Sequence, residues 1–384
     1  MNTAKYPLLT LGCFMLLFVA SLRSVYFSGI GASLDLMSLI LFVSLLLLLP
    51  VIAFSRKFFA RFFAVGYLLL IAWVAGMFTT FFSQLAPRYD TALAFLFVPL
   101  ITFSLAACIF KLPINWRKVF SWLLWVHVVV FFLQLGLFYR LGYTFDPVNL
   151  LTGNISRNIS FLTIPVFGYT TVFRASGLFN EPGTYCSFVS TFVAFIFVLD
   201  GYKFTRISII SLLSFVLSFS FFGLLSTFVV ITVSFIRSSS KRASYNYTLI
   251  FFAIILYLGF FYIDIRFLGV QDSSLLVRLE SLGSISSYLF GIGFVQPPTG
   301  TLDLGVSAYF YLYFGLFSLP LLFYFFRLFV QFSEYRLPIF ILLVSKISPT
   351  APLFWILFSL LFVLNSTFVS SRQSPLLLPN RSPT

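Results

Sequence analysis

The segment RASGLFNEPG, residues 174–183, places an arginine and a carboxylate directly ahead of an apolar run. Arginine carries a planar fork of N–H donors and keeps its charge at any physiological pH, so Arg174 suits a phosphate group. Pro182 and Gly183 suit the first turn of a helix, where free backbone N–H groups attract anions. An ionisable group at a membrane boundary is a functional candidate by default, which applies to Arg174 and Glu181 alike. The same spacing is equally compatible with a structural Arg174–Glu181 pair that only shapes the loop.

A second group follows later. Arg278 lies on a short amphipathic stretch with Leu275, Leu276, Leu279 and Leu282. Asp272 stands just before it. The run LFGIGF, residues 289–294, comes next, then Asp303, then an apolar stretch containing YFGLFS at 313–318. Gly291 and Gly293 permit a tight backbone turn. Their G-x-G lacks the strand and helix that would make it a nucleotide fingerprint. Arg157 is a further cation ahead of the first group.

The elements that must position these residues are set by the solvent. Of 384 residues, 60% are hydrophobic, 56 are Phe and only 9% are charged. A soluble domain needs about 25% charged residues to cover itself in water, so most of this chain lies in a bilayer. Apolar runs long enough or paired to span it fall at 8–22, 36–54, 62–82, 91–110, 119–139, 183–199, 247–263 and 306–326. The run 207–236 has positive charge at both ends, so it reads as two short helices turning near residues 218–223. The runs 337–345 and 353–369 form a similar pair turning near 346–352. The expectation is an all-α integral membrane protein of about 12 transmembrane helices, in one polytopic domain over 1–369. Both termini are expected in the cytoplasm, with residues 370–384 a disordered tail. The first run reads as a retained span, because Lys5 precedes it but no small-residue cleavage site follows.

Charge fits that layout. Of the 24 basic residues, 16 fall on the cytoplasmic side with two of the 10 acids; the other eight fall outside with the remaining eight acids. One side therefore nets +14 and the other zero. The positive-inside rule accounts for the whole net charge without nucleic acid. Two long outer loops, about 140–182 and 264–305, hold all the candidate residues, and long loops on a rigid scaffold commonly carry function. Seven of the eight outer cations are Arg, Lys346 being the exception. The three Cys form no CxxC pair, and the only histidine, His127, sits within an apolar run. A zinc site needs several such ligands converging, so none is expected. His127 reads as a packing or interhelical hydrogen-bonding residue.

The pattern RxSGLFNEPG opening a helix resembles the signature of the O-antigen polymerases (Wzy-type) and the related O-antigen ligases. The later order also resembles it: an outer Arg, then FGIGF, then an Asp near the next span, then FGLFSLP inside it. A Ser-rich helix pair containing LSFSFFGL, residues 217–224, fits as well. The resemblance implies a glycosyltransferase of the bacterial inner membrane, working at its periplasmic face in lipopolysaccharide biosynthesis. It would join oligosaccharide repeat units carried on undecaprenyl pyrophosphate and release undecaprenyl pyrophosphate. The implied partners are that lipid-linked oligosaccharide, membrane lipid and a chain-length regulator protein. No cofactor, metal or nucleotide sugar is implied. By the same resemblance Arg174 and Arg278 face the pyrophosphate. Glu181 is the first candidate for the acceptor proton, with Asp303 and Asp272 behind it, and Arg157 is a further substrate contact. Ligases carry a His in the second large loop and this sequence has none there, which favours the polymerase. A flippase of lipid-linked glycans is the competing class; it would show repeated halves and charges within the spans.

Overall fold

The computed structural model describes residues 7–22, 56–83, 86–109, 114–147, 160–164, 170–179, 181–238, 288–295 and 305–373. The described chain is mostly helical. The helices are α1 (Pro7–Ser21), α2 (Arg56–Phe82), α3 (Tyr89–Ile109), α4 (Trp116–Leu141), α5 (Pro182–Leu199), α6 (Arg206–Leu217) and α7 (Phe221–Ser238). Then come α8 (Val306–Phe314), α9 (Leu319–Gln331), α10 (Arg336–Val344) and α11 (Pro352–Gln373). Among the described residues four helical runs are long and apolar enough to cross a membrane: Ala64–Phe82, Trp116–Leu141, Pro182–Leu199 and Val306–Gln331. Shorter apolar helices stand beside them, so the chain has the architecture of a helical membrane protein. The expected spans 36–54 and 247–263 lie outside the described residues. Helix α11 is described as far as Gln373, into the start of the expected tail.

Local chemistry explains the ends of these helices. Asn115 caps α4 by accepting from Lys118 N at 3.0 Å, and Gly142 closes it in the left-handed region with φ 65°. Thr205 caps α6. The run 207–236 is indeed two helices, with the turn at residues 218–220. Phe219 takes φ 48° there, a strained position for a side chain of that size.

Helix α5 is the axle of the bundle. Among the four spanning runs it is the most enclosed, with 78% of its window buried. It touches α4, α6, α7 and α10. Phe195 stacks on Phe120 of α4 with centroids 5.1 Å apart, and Tyr185 stacks on Phe131 at 4.8 Å. Gly223 lets α7 approach: a Cβ there would sit 2.7 Å from Cys186 Sγ and 2.8 Å from Phe215 O.

The expected single span 306–326 is broken. Helix α8 stops at Phe314, a 3-10 turn follows at Gly315–Ser318, and α9 resumes at Leu319. The break frees carbonyls that an unbroken helix would use. Leu312 O accepts from Ile292 N at 2.8 Å, and Tyr313 O accepts from Gly293 N at 3.1 Å. Leu316 N in turn donates to Leu289 O at 2.9 Å. On the other side, Phe294 N donates to Thr80 Oγ1 at 2.6 Å, so the FGIGF strip is wedged between α2 and the broken helix. Irregular backbone at membrane depth persists where protein covers it and satisfies it.

Charged groups gather in pairs. At one end Arg117 pairs with Asp200, Arg237 pairs with Glu334 at 3.4 Å, and Tyr202 OH donates to Glu334 O at 2.5 Å. The Arg237 guanidinium lies 5.0 Å over the Tyr202 ring, and burial pushes the Tyr202 phenol above its ordinary value. Elsewhere Glu181 pairs with Lys346, and Arg88 with Asp90. Each pair joins residues that the charge census places on one side.

Candidate functional site

The loop that carries Arg174 is more structured than a long polar connection. Strands β1 (Ser160–Ile164) and β2 (Thr170–Arg174) pair antiparallel, with Ser160 opposite Arg174. Phe173 is buried and stacks on Phe138 of α4 at 4.5 Å, which fixes the end of β2 against the bundle. Alternation along a strand then sends Arg174 to the other face.

Gln134, buried on α4, clamps the turn that follows. Its Oε1 accepts from Ser176 N at 3.1 Å and Gly177 N at 2.7 Å, and its Nε2 donates to Phe145 O at 3.1 Å. Gly177 sits at φ 61°, and a Cβ there would press on the Tyr185 ring at 3.1 Å. Phe179 then stacks on His127 at 5.1 Å. His127 Nε2 is 3.0 Å from Ser21 Oγ, so this histidine ties α4 to α1 as expected of a packing residue.

The turn delivers Glu181 as the residue that caps α5, followed by Pro182 in the first turn. Its carboxylate makes no capping bond to the backbone. Glu181 Oε1 instead accepts from Lys346 Nζ at 2.5 Å and from Thr184 Oγ1 at 3.0 Å. Lys346 lies in the connection between α10 and α11, with its side chain 7% exposed. Gly183 leaves room for it, since a Cβ there would sit 3.3 Å from Lys346 Nζ.

Arg174 reaches the neighbouring turn. Its Nε donates to Ser218 O at 3.4 Å, where α6 ends and its last carbonyls need donors. Ser218 Oγ lies 3.1 Å from Cys186 Sγ on the second turn of α5. Lys346 Nζ lies against Gly183 on the first turn of the same helix, where a Cβ would be 3.3 Å from it. Two cations and one carboxylate therefore converge around the first turns of α5. The cluster is net positive and suits a phosphate-bearing ligand.

Of the residues singled out in the sequence, the structure brings Arg174 and Glu181 to this one end. Arg278, Asp272, Asp303 and Arg157 lie outside the described residues. The chain neighbour Gly305 is described. It sits where a Cβ would meet Val344 O at 3.1 Å, so the start of α8 abuts the end of α10, two residues before Lys346. Lys346 is the functional candidate that sequence reasoning passed over. Its signal was small: the one lysine among the outer cations, in a polar break between two apolar runs. The FGIGF glycines, in contrast, serve close backbone contact.

Among the described residues no group of three or more His, Cys, Asp or Glu is placed to hold a metal. Compared with known proteins, the chain matches no family model, no curated protein and no solved structure.

Proposed function

We propose that the chain is an O-antigen polymerase of the inner membrane, joining undecaprenyl-pyrophosphate-linked repeat units at the periplasmic face. The observation that carries this reading is the convergence of Arg174, Lys346 and Glu181 at the start of α5. A membrane-boundary site with excess positive charge and one carboxylate has the groups that glycosyl transfer from a lipid pyrophosphate needs. On this reading the bundle has about 12 spans, and the Glu181 end is periplasmic. Arg278, Asp272, Asp303 and Arg157 belong to the second part of the site.

Negative charge grows on the pyrophosphate as its bond to the sugar breaks. Fixed cationic donors aimed there lower the barrier. Arg174 and Lys346 supply that charge from two different elements. Glu181 takes the proton of the attacking sugar hydroxyl.

The experiment is the lipopolysaccharide gel of a strain lacking this chain. A core bearing a single repeat unit supports the polymerase. Uncapped core without any unit points to a ligase or a flippase, and unchanged long-chain material rejects the reading. Complementation with Arg174→Lys and Arg278→Lys then tests the pyrophosphate role. Normal chains from both variants remove it.

A further inference from the structure

Lys346 and Glu181 are unequal partners. The lysine side chain is 7% exposed and the glutamate 42%. An anion supplied by the protein therefore covers a buried cation. That anion is also the group assigned to the acceptor proton.

The two residues differ in freedom as well. The main chain around Lys346 is locked: Ser345 Oγ donates to Leu342 O at 2.8 Å and accepts from Ile347 N at 3.3 Å. Trp355 Nε1 fixes the rest of the connection by donating to Pro349 O at 2.6 Å. Glu181 has a second hold from the Thr184 hydroxyl, which donates to its Oε1 at 3.0 Å and ties it to the start of α5. Gly183 lets both groups lie close to the helix, since a Cβ there would be 3.3 Å from Lys346 Nζ and 3.4 Å from Glu181 Oε1. The cation is the enclosed member of the pair, and the carboxylate is the member open to solvent.

We propose that Glu181 stands in for the donor's pyrophosphate in the empty site, and that an arriving pyrophosphate displaces it from Lys346 and frees it for the acceptor. This rests on the polymerase reading above. In the reaction the acceptor hydroxyl gives its proton to the released Glu181. Its oxygen bonds to the anomeric carbon of the donor sugar. The bond from that carbon to the pyrophosphate oxygen breaks, and its electron pair leaves on the pyrophosphate, now facing Lys346. Donor binding and release of the base are one event, so the base stays masked until a donor is present.

The test is calorimetric titration of the purified full-length chain, in lipid nanodiscs, with inorganic pyrophosphate. Glu181→Gln removes the competing charge at nearly unchanged shape. It binds pyrophosphate about tenfold tighter than the wild type, as expected when an internal competitor is lost, while supporting no polymer in cells. Lys346→Arg keeps binding near the wild-type value, and Lys346→Met weakens it about tenfold, as expected for loss of a charge-assisted contact. Glu181→Gln binding no tighter than wild type overturns the proposal, whatever the folding of Lys346→Met. A deletion strain that keeps its long chains sinks the polymerase reading instead, and leaves the titration to give its own answer.

Discussion

Gly291 and Gly315 approach backbone to backbone: a Cβ on Gly291 would lie 2.7 Å from Gly315 N, and one on Gly315 would strike Gly291 N in return. Both glycines have positive φ, 78° and 53°. The two motifs FGIGF and FGLFS are thus the two halves of one joint.

Replacing either glycine by alanine strains the backbone and forces the two strips apart. Gly291→Ala or Gly315→Ala is expected to cost about 3 kcal/mol. Thermal unfolding in detergent checks this, against Gly136→Ala on α4, where a Cβ meets nothing within 4 Å. Equal melting temperatures for all three would contradict the joint.

Gln134→Ala removes an acceptor for two N–H groups and a donor for one carbonyl. The loss is expected to be about 2–3 kcal/mol, because buried backbone groups are left unsatisfied. The readouts are melting temperature and protease sensitivity of the 174–181 turn. Chain length should fall as Arg174 and Glu181 lose their fixed placement.

Much of this fold is legible in hydropathy. The runs 119–139 and 183–199 coincide with helices α4 and α5, and the turn within 207–236 falls between α6 and α7. The break at Gly315 is not legible, because YFGLFS is as apolar as its surroundings and its partner strip lies more than twenty residues earlier. The hairpin ending at Arg174 escapes notice for a similar reason. Its buried Phe173 depends on Phe138 of another element. The site divides in the same way. RASGLFNEPG advertises itself locally, whereas Lys346 becomes part of it only through a contact across 165 positions.

Glu181→Gln, expressed at the wild-type level in a strain without the chromosomal copy, is expected to abolish long-chain polysaccharide. Normal length and yield on a lipopolysaccharide gel would reject Glu181 as the base. Thr184→Val offers a graded companion: it removes one hold on the carboxylate and is expected to lower yield several-fold, the scale of one lost hydrogen bond.

Tyr202→Phe probes the opposite end. It deletes the bond to Glu334 O and is expected to cost about 1 kcal/mol of stability with no change in polymer length. A change in chain length at equal protein level would show that this end also communicates with the chemistry.

Helix α5 is fastened by charge at both ends, to Lys346 beside Glu181 and to Arg117 beside Asp200. Its 18 residues span about 27 Å. The two charged layers are therefore held a fixed distance apart, slightly less than the roughly 30 Å of a typical hydrocarbon core. The protein acts as a ruler that the bilayer must match. Thicker lipid has to thin around it, so the acyl-chain length of the host membrane becomes a term in its stability.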